Sequence, residues 1–279
     1  EYGLVKCRTN GRLRGTKINL SFPSVGATEN LLMAAVLGDG VTVLTNCATE
    51  PEVEALEIAL CQMGAQIQGV GADRLEICGV DRLHGVTVDV IPDRIVAATY
   101  LASVAAAGGC VKIVGCNPSH FSSFTDLLSS RFDLQVGADY VKITSDRQPS
   151  DYGQIATAPY PLFPTDMQSL AFSLAACSAG GTTRITENLF ENRLRHNACE
   201  LQKMGANVNV TGNEATIVGT KLVGANVRAG DLRGGAALVV AALAASGVTE
   251  IDSVEHVMRG YCDLAGRLGS VGADVVFVL

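Results

Sequence analysis

The sequence predicts an α/β fold assembled from copies of one unit, on three observations. A glycine recurs at nearly constant spacing, a short alternating strand follows each glycine, and an apolar helix rich in small residues precedes it. Gly40, Gly109, Gly181 and Gly247 serve as the anchors of the four copies.

The first helix of each copy is read over 30–37, 95–106, 167–176 and 234–245, apolar stretches full of small residues, for which a close-packed, buried position is implied. The strands fall at 41–45, 110–114, 182–186 and 248–252, with Leu44, Ile113, Ile185 and Ile251 in register. A second, more amphipathic helix then ends at a glycine free to turn left-handed: Met63-Gly64-Ala65, Met204-Gly205-Ala206 and Val271-Gly272-Ala273. Val136-Gly137-Ala138 reads as the same stop in the second copy, a few residues late. A strand pair closes the unit, including 74–78, 140–144 and 214–218. Between 145 and 164 the chain is polar and Pro-containing, and is read as a loop leading to Asp166.

Composition narrows the function. With 48% hydrophobic residues in 279, the chain has material for substantial cores. A net charge of −7 and no basic run argue against a nucleic-acid surface, so anionic ligands would need local arginines. Nine cysteines without a C-x-x-C pair fit neither a disulfide framework nor a zinc site, and suggest reduced thiols in a cytoplasm. The alanine runs at 97–107 and 236–245 fall short of the roughly 20 apolar residues of a membrane span. No signal-peptide pattern opens the sequence.

The candidate site lies at the helix entrances. Ser24, Asp93 and Asp231 precede Gly40, Gly109 and Gly247 by one and the same interval, and Asp166 precedes Gly181 by an interval shorter by a single position. All four could be N-caps, and the same helix ends could equally aim a positive field at an anion; the two readings are compatible. Arg193, Arg233 and Arg259 are candidates for gripping carboxylate or phosphate bidentately. His84, His120, His196 and His256 occupy no catalytic or metal-ligand spacing and are read as structural. The glycine pairs at 108–109, 180–181 and 234–235 spell no phosphate-binding loop.

Six motifs occur in one order: Ser24-Val25-Gly26-Ala27-Thr28-Glu29, Ile91-Pro92-Asp93-Arg94-Ile95, Phe163-Pro164-Thr165-Asp166-Met167-Gln168, Phe190-Glu191-Asn192-Arg193, Asp231-Leu232-Arg233 and Arg259-Gly260-Tyr261. On these the chain resembles the UDP-N-acetylglucosamine enolpyruvyl transferase family over essentially its whole length. The resemblance implies a two-domain fold, each domain made of three βαβαββ units around buried parallel helices, with the active site in the cleft between them. Residues 1–90 would then finish the first domain and residues 91–279 form the second, with three repeats. Family members are longer, and the resemblance places the remainder before Glu1.

The reaction implied is transfer of the enolpyruvyl group of phosphoenolpyruvate to UDP-N-acetylglucosamine with release of phosphate, the first committed step of peptidoglycan synthesis, in the cytoplasm, without metal or organic cofactor. The family pattern makes Asp166 the general base and gives Arg193, Arg233 and Arg259 to the anionic donor. It puts Phe22, Pro23, Ser24, Val25 and Gly26 against the nucleotide sugar, although Phe22 stands where the family often has Lys. It has Leu189 contact the nucleotide through its backbone, and makes Asp93 structural or part of a hinge. Leu194 and Arg195 depart from the usual residues after Arg193, which bears on packing more than on chemistry. The family's acid, a Cys or Asp on a loop, and its Lys-Asn pair match nothing in this sequence, and are expected in the preceding segment. Alone, the chain is therefore expected to lack turnover. Two other readings stay open: the shikimate-pathway enolpyruvyl transferase, against which the motif at 24–29 speaks, and a non-catalytic nucleotide-sugar-binding module. RNA-terminal phosphate cyclases use related units, but the acidic balance disfavours them.

Overall fold

Strand β1 (Lys17–Asn19), helix α1 (Val25–Ala35), β2 (Val41–Thr45), α2 (Pro51–Gln62), β3 (Gln66–Gln68) and β4 (Arg74–Cys78) make one complete βαβαββ repeat. The computed structural model describes residues 5–146, 148–190 and 192–278, and the chain divides into two units, Glu1–Ile91 and Pro92–Leu279. In the first unit the strand order is β1-β2-β4-β3, with β1 parallel to β2 and the other pairs antiparallel. Alternation in β2 and β4 turns Leu44, Leu75 and Ile77 inward, where Leu32 of α1 and Leu60 of α2 meet them. Helix α2 starts with Pro51, where a missing N–H costs nothing, and stops at Gly64, φ +100°.

Glu57 of α2 is buried and accepts the Gly71 N–H at 2.7 Å. Burial pushes its carboxyl up; the Gly71 contact opposes this and Glu54 adds to it.

The second unit repeats the pattern. Helix α3 (Arg94–Ala107), β5 (Gly109–Val114), α4 (Ser122–Ser129), β6 (Asp133–Val136) and β7 (Tyr140–Ser145) come first. Then follow β8 (Gln154–Ala156), α5 (Thr165–Ala176), β9 (Thr182–Thr186), α6 (Arg193–Lys203), β10 (Asn207–Thr211) and β11 (Glu214–Val218). The last copy holds β12 (Asn226–Arg228), α7 (Leu232–Ala244), β13 (Glu250–Asp252), α8 (Glu255–Met258) and α9 (Leu264–Ser270). Its sheets run β5-β7-β6, β10-β11-β9-β8 and β12-β13, with β8–β9 and β12–β13 parallel.

Helices α3, α5 and α7 pack on one another at the centre of this unit, as their small residues allow. Every residue of α5 from Met167 to Ala176 is buried, so this helix has no face for water. Three hydroxyls that enter this core from the helices carry their own partners. Ser173 Oγ donates to Ala237 O at 2.7 Å, Thr99 Oγ1 to Ile95 O at 2.8 Å and Ser103 Oγ to Thr99 O at 2.8 Å.

Several expectations from sequence need correction. Gly137 is not a helix stop: α4 ends at Ser129, and Gly137 sits in the turn between β6 and β7, donating its N–H to Tyr140 O at 2.9 Å. A Val-Gly-Ala tripeptide serves a hairpin as readily as a helix end. The stretch 145–164 is not wholly loop, because Ile155 points into the core from β8, which pairs with β9. The first helices begin earlier than their apolar runs, and β13 starts at Glu250 where 248 was expected.

The third anchor also shifts. Gly40, Gly109 and Gly247 take left-handed φ of +85°, +103° and +88°, but in the third copy that role falls to Gly180, φ +101°. Counted from Gly180, the helix entrance moves back, which bears directly on Asp166.

Candidate functional site

The N-caps of the four first helices are Ser24, Asp93, Pro164 and Asp231. They pair with the left-handed glycines Gly40, Gly109, Gly180 and Gly247 at one identical interval, so the copies share one register. Three of them cap with a side chain. Ser24 Oγ accepts from Ala27 N at 3.3 Å, Asp93 Oδ1 from Ile95 N at 2.8 Å and Val96 N at 3.0 Å, and Asp231 Oδ1 from Gly234 N at 2.6 Å. Proline can offer no such bond, and Asp166 is the second residue of its helix. Asp166 is therefore not the cap that its spacing in sequence suggested.

Asp166 faces guanidinium groups. Arg193 Nη1 stands 3.3 Å from Asp166 Oδ1, and Arg233 Nε stands 3.9 Å from the same oxygen. The two arginine side chains are 18% and 19% exposed while the carboxylate is 38% exposed, so the acceptor is open and its cations are largely enclosed. Oδ2 has no partner among the described residues. Arg233 is the second residue of α7, the position Asp166 holds in α5, so the repeat itself places acid and base opposite one another.

Arg193 opens α6, and its Nη1 also donates to Thr165 O at 2.9 Å and Thr165 Oγ1 at 2.7 Å. Its guanidinium lies 4.8 Å from the centre of the Phe190 ring. Further along α6, Asn197 Nδ2 donates to Ser169 Oγ at 2.8 Å and fixes α6 against α5. Burial disfavours the charge of Glu200, but the Lys203 ammonium at 2.7 Å and the Arg228 N–H at 2.8 Å outweigh it and hold its carboxyl below the ordinary range.

Helix α3 is tied to this region through Tyr261. Its hydroxyl is buried and lies 2.8 Å from Thr99 Oγ1 of α3. Burial pushes the phenol up, while Thr99 and the neighbouring Arg233 pull it down. The entrance of α7 is close-packed: a Cβ at Gly235 would come within 2.5 Å of Val257 Cγ2, which accounts for a glycine inside a helix.

Asp166, Arg193 and Arg233 are thus brought together within the second unit. Arg259 is exposed at the end of α8 and makes no ion pair among the described residues; the buried member of its motif is Tyr261. Leu189 keeps its N–H on Glu187 Oε1 at 2.8 Å, which leaves the carbonyl as its remaining backbone group. Glu191, the second residue of its motif, lies outside the described residues. In the first unit Phe22 is exposed, Pro23, Ser24 and Val25 are half-buried, and Gly26 is exposed with open space around its Cα. Sequence reasoning missed Thr165, Thr99 and Glu187. Thr165 lies inside the quoted motif and could have been found there, whereas the other two carry no local signal.

Among the described residues no group of three or more His, Cys, Asp and Glu could hold a metal ion. All nine cysteines are free, and burial pushes the thiols of Cys47 and Cys177 up to about 11 and about 12, well away from nucleophilic use. Among the described residues no helix is long and apolar enough to cross a membrane.

Comparison with known proteins shows the family and the fold. Residues 1–268 match the family described as EPSP synthase (3-phosphoshikimate 1-carboxyvinyltransferase). Proteins named UDP-N-acetylglucosamine 1-carboxyvinyltransferase 2 from Caldanaerobacter subterraneus and Clostridium acetobutylicum are each 45% identical over 100% and 98% of this chain. A UDP-N-acetylglucosamine 1-carboxyvinyltransferase from Shewanella amazonensis is 44% identical over 99% of it. The chain spans 66%, 65% and 66% of the lengths of these three relatives. Among solved structures, the enolpyruvyl transferase NikO from Streptomyces tendae superposes with a TM-score of 0.84 at 28% identity, over 96% of this chain and 66% of its own. EPSP synthase from Acinetobacter baumannii, at 19% identity and a TM-score of 0.71 over 96% of this chain and 64% of its own, shares the fold.

Proposed function

The chain belongs to the EPSP synthase family, and from that premise we propose that it serves transfer of the enolpyruvyl group of phosphoenolpyruvate to UDP-N-acetylglucosamine, a cytoplasmic step of peptidoglycan synthesis. The relatives' names support the acceptor. The observation that carries the reading within this chain is the open Asp166 carboxylate, freed from capping and flanked by Arg193 and Arg233.

In this scheme the sugar hydroxyl gives its proton to Asp166 as its oxygen bonds to the middle carbon of phosphoenolpyruvate, and a separate acid protonates the methylene carbon. That carbon then loses a proton, the bond to the phosphate oxygen breaks, and inorganic phosphate leaves as the double bond re-forms. A carboxylate held in place beside the hydroxyl supplies base catalysis, and guanidinium groups stabilise the carboxylate and phosphate of the donor. Arg233 and Arg193 take that part at the α5 entrance; Arg259 is assigned to the donor as well, from its motif. On the same reading Phe22, Pro23, Ser24, Val25 and Gly26, with the carbonyl of Leu189, contact the nucleotide sugar. Residues 1–90 complete one transferase domain and 91–279 form the other.

Phosphate release by the intact gene product, supplied with both substrates, tests the reading. Asp166→Asn should lower kcat on the order of a hundredfold or more while the Michaelis constants change far less. Replacing UDP-N-acetylglucosamine with shikimate 3-phosphate should abolish release. Release with shikimate 3-phosphate would move the assignment to the other acceptor, and none with either would favour the non-catalytic module.

A further inference from the structure

Arg193 reaches Asp166 from a support that begins at Glu187. This carboxylate is 1% exposed, just past the end of β9, and takes four donors. Oε1 accepts from Thr157 Oγ1 at 2.9 Å, Leu189 N at 2.8 Å and Phe190 N at 3.1 Å; Oε2 accepts from Thr165 Oγ1 at 2.8 Å. Thr157 Oγ1 meanwhile accepts the Asn188 N–H at 2.9 Å, so its single proton is directed to Glu187.

Thr165 obeys the same logic. A hydroxyl has one proton, and the 2.7 Å contact from Arg193 Nη1 is a donation from a group with no acceptor capacity. The Thr165 proton must therefore go to Glu187, and its lone pairs must face Arg193. One buried side chain thus fixes the first turn of α5, the loop at Leu189 and Phe190 that leads into α6, and the polarity of the hydroxyl that holds the guanidinium.

We propose that Glu187 is a positioning residue that acts through Thr165 to hold Arg193 against Asp166. The inference rests on the transferase reading for its effect on turnover, and on geometry alone for its effect on Arg193. Glutamine at 187 puts an NH2 group where one acceptor oxygen stood, so either Thr165 loses the acceptor of its proton or Thr157, Leu189 and Phe190 lose theirs. Valine at 165 keeps the shape of threonine and deletes the relay. Serine at 165 keeps the relay.

Two measurements on the intact gene product test this. In phosphate release, Glu187→Gln and Thr165→Val should each lower kcat about ten- to a hundredfold, the scale of a misplaced catalytic group, with smaller changes in the Michaelis constant of the acceptor. The double variant should fall little below the single ones, because both cut one relay, and Thr165→Ser should recover most of the loss. The second readout is the nitrogen-15 NMR signal of the Arg193 side chain: restricted guanidinium rotation in the parent and in Thr165→Ser, and faster averaging in Thr165→Val and Glu187→Gln. An inactive parent would sink the reaction reading and leave the NMR comparison to decide on Glu187. Unchanged Arg193 signals in both variants, or additive losses in kcat, would overturn the proposal.

Discussion

The entrances of α1, α3 and α7 commit a polar side chain to their own helix, whereas the entrance of α5 has a proline at that position and keeps its aspartate for something else. The backbone register is common to all four, since every N-cap keeps the same distance in sequence from its left-handed glycine. Ser24, Asp93 and Asp231 accept N–H groups of the first turn. Asp166, just past the cap, faces arginines of α6 and α7 instead. A repeated fold thus supplies equivalent sites, and a small shift along the chain turns a capping carboxylate into an open one beside two guanidinium groups.

The largest effect on stability should come from crowding the helix that carries Asp166. Ala171→Leu inserts bulk into a fully buried position among α3, α5 and α7 and should cost about 1–3 kcal/mol in chemical denaturation. If the variant is as stable as its parent, α5 is not close-packed. Arg233→Lys comes next: a point charge cannot reproduce a planar fork, so the Michaelis constant for phosphoenolpyruvate should rise about tenfold, and that for the nucleotide sugar much less. Equal changes would make Arg233 merely a structural partner of Asp166.

Asp93→Ala should cost about 1 kcal/mol, as removal of a working cap does, and an effect of that size from Asp166→Asn would erase the distinction between the entrances. The smallest effects concern pH. The folded-state pKa of Glu200 is depressed, so its contribution is present above the ordinary glutamate value and is lost as pH falls through the folded value. That of Glu57 is raised, so its contribution is present below the ordinary value and is lost as pH rises through the folded one. Glu200→Gln should therefore flatten the acid limb of the stability profile, and Glu57→Gln should remove a loss seen on moving from acid toward neutral pH. Identical profiles for parent and variants would remove both groups from the account.

Much of this was legible in the sequence, for identifiable reasons. The repeat, the buried first helices of the second unit and the glycine stops at Gly64, Gly205 and Gly272 follow from periodicity and from left-handed backbone, both of which are local, whereas α1 buries only Thr28, Leu32 and Ala35 and is not the enclosed helix its apolar run suggested. Gly137 misled because a hairpin turn and a helix stop can use the same tripeptide. Gly181 misled because two adjacent glycines offered two registers, and only the backbone shows that Gly180 takes the positive φ. Asp166, Arg193 and Arg233 were nominated from motifs, yet their meeting depends on pairings between distant parts of the chain that no local pattern encodes. Thr99 and Tyr261 come from opposite ends of the second unit, and Glu187 looked like one more residue after a strand.

The most direct test of the account measures kcat and thermal unfolding together for Asp166→Asn and Asp93→Ala in the intact gene product. The account predicts that Asp166→Asn keeps the parental Tm and loses turnover on the order of a hundredfold or more, while Asp93→Ala lowers Tm and retains most of its turnover. Near-parental turnover in Asp166→Asn, or a drop in its Tm matching that of Asp93→Ala, would contradict it and return Asp166 to the role of a helix-terminal carboxylate.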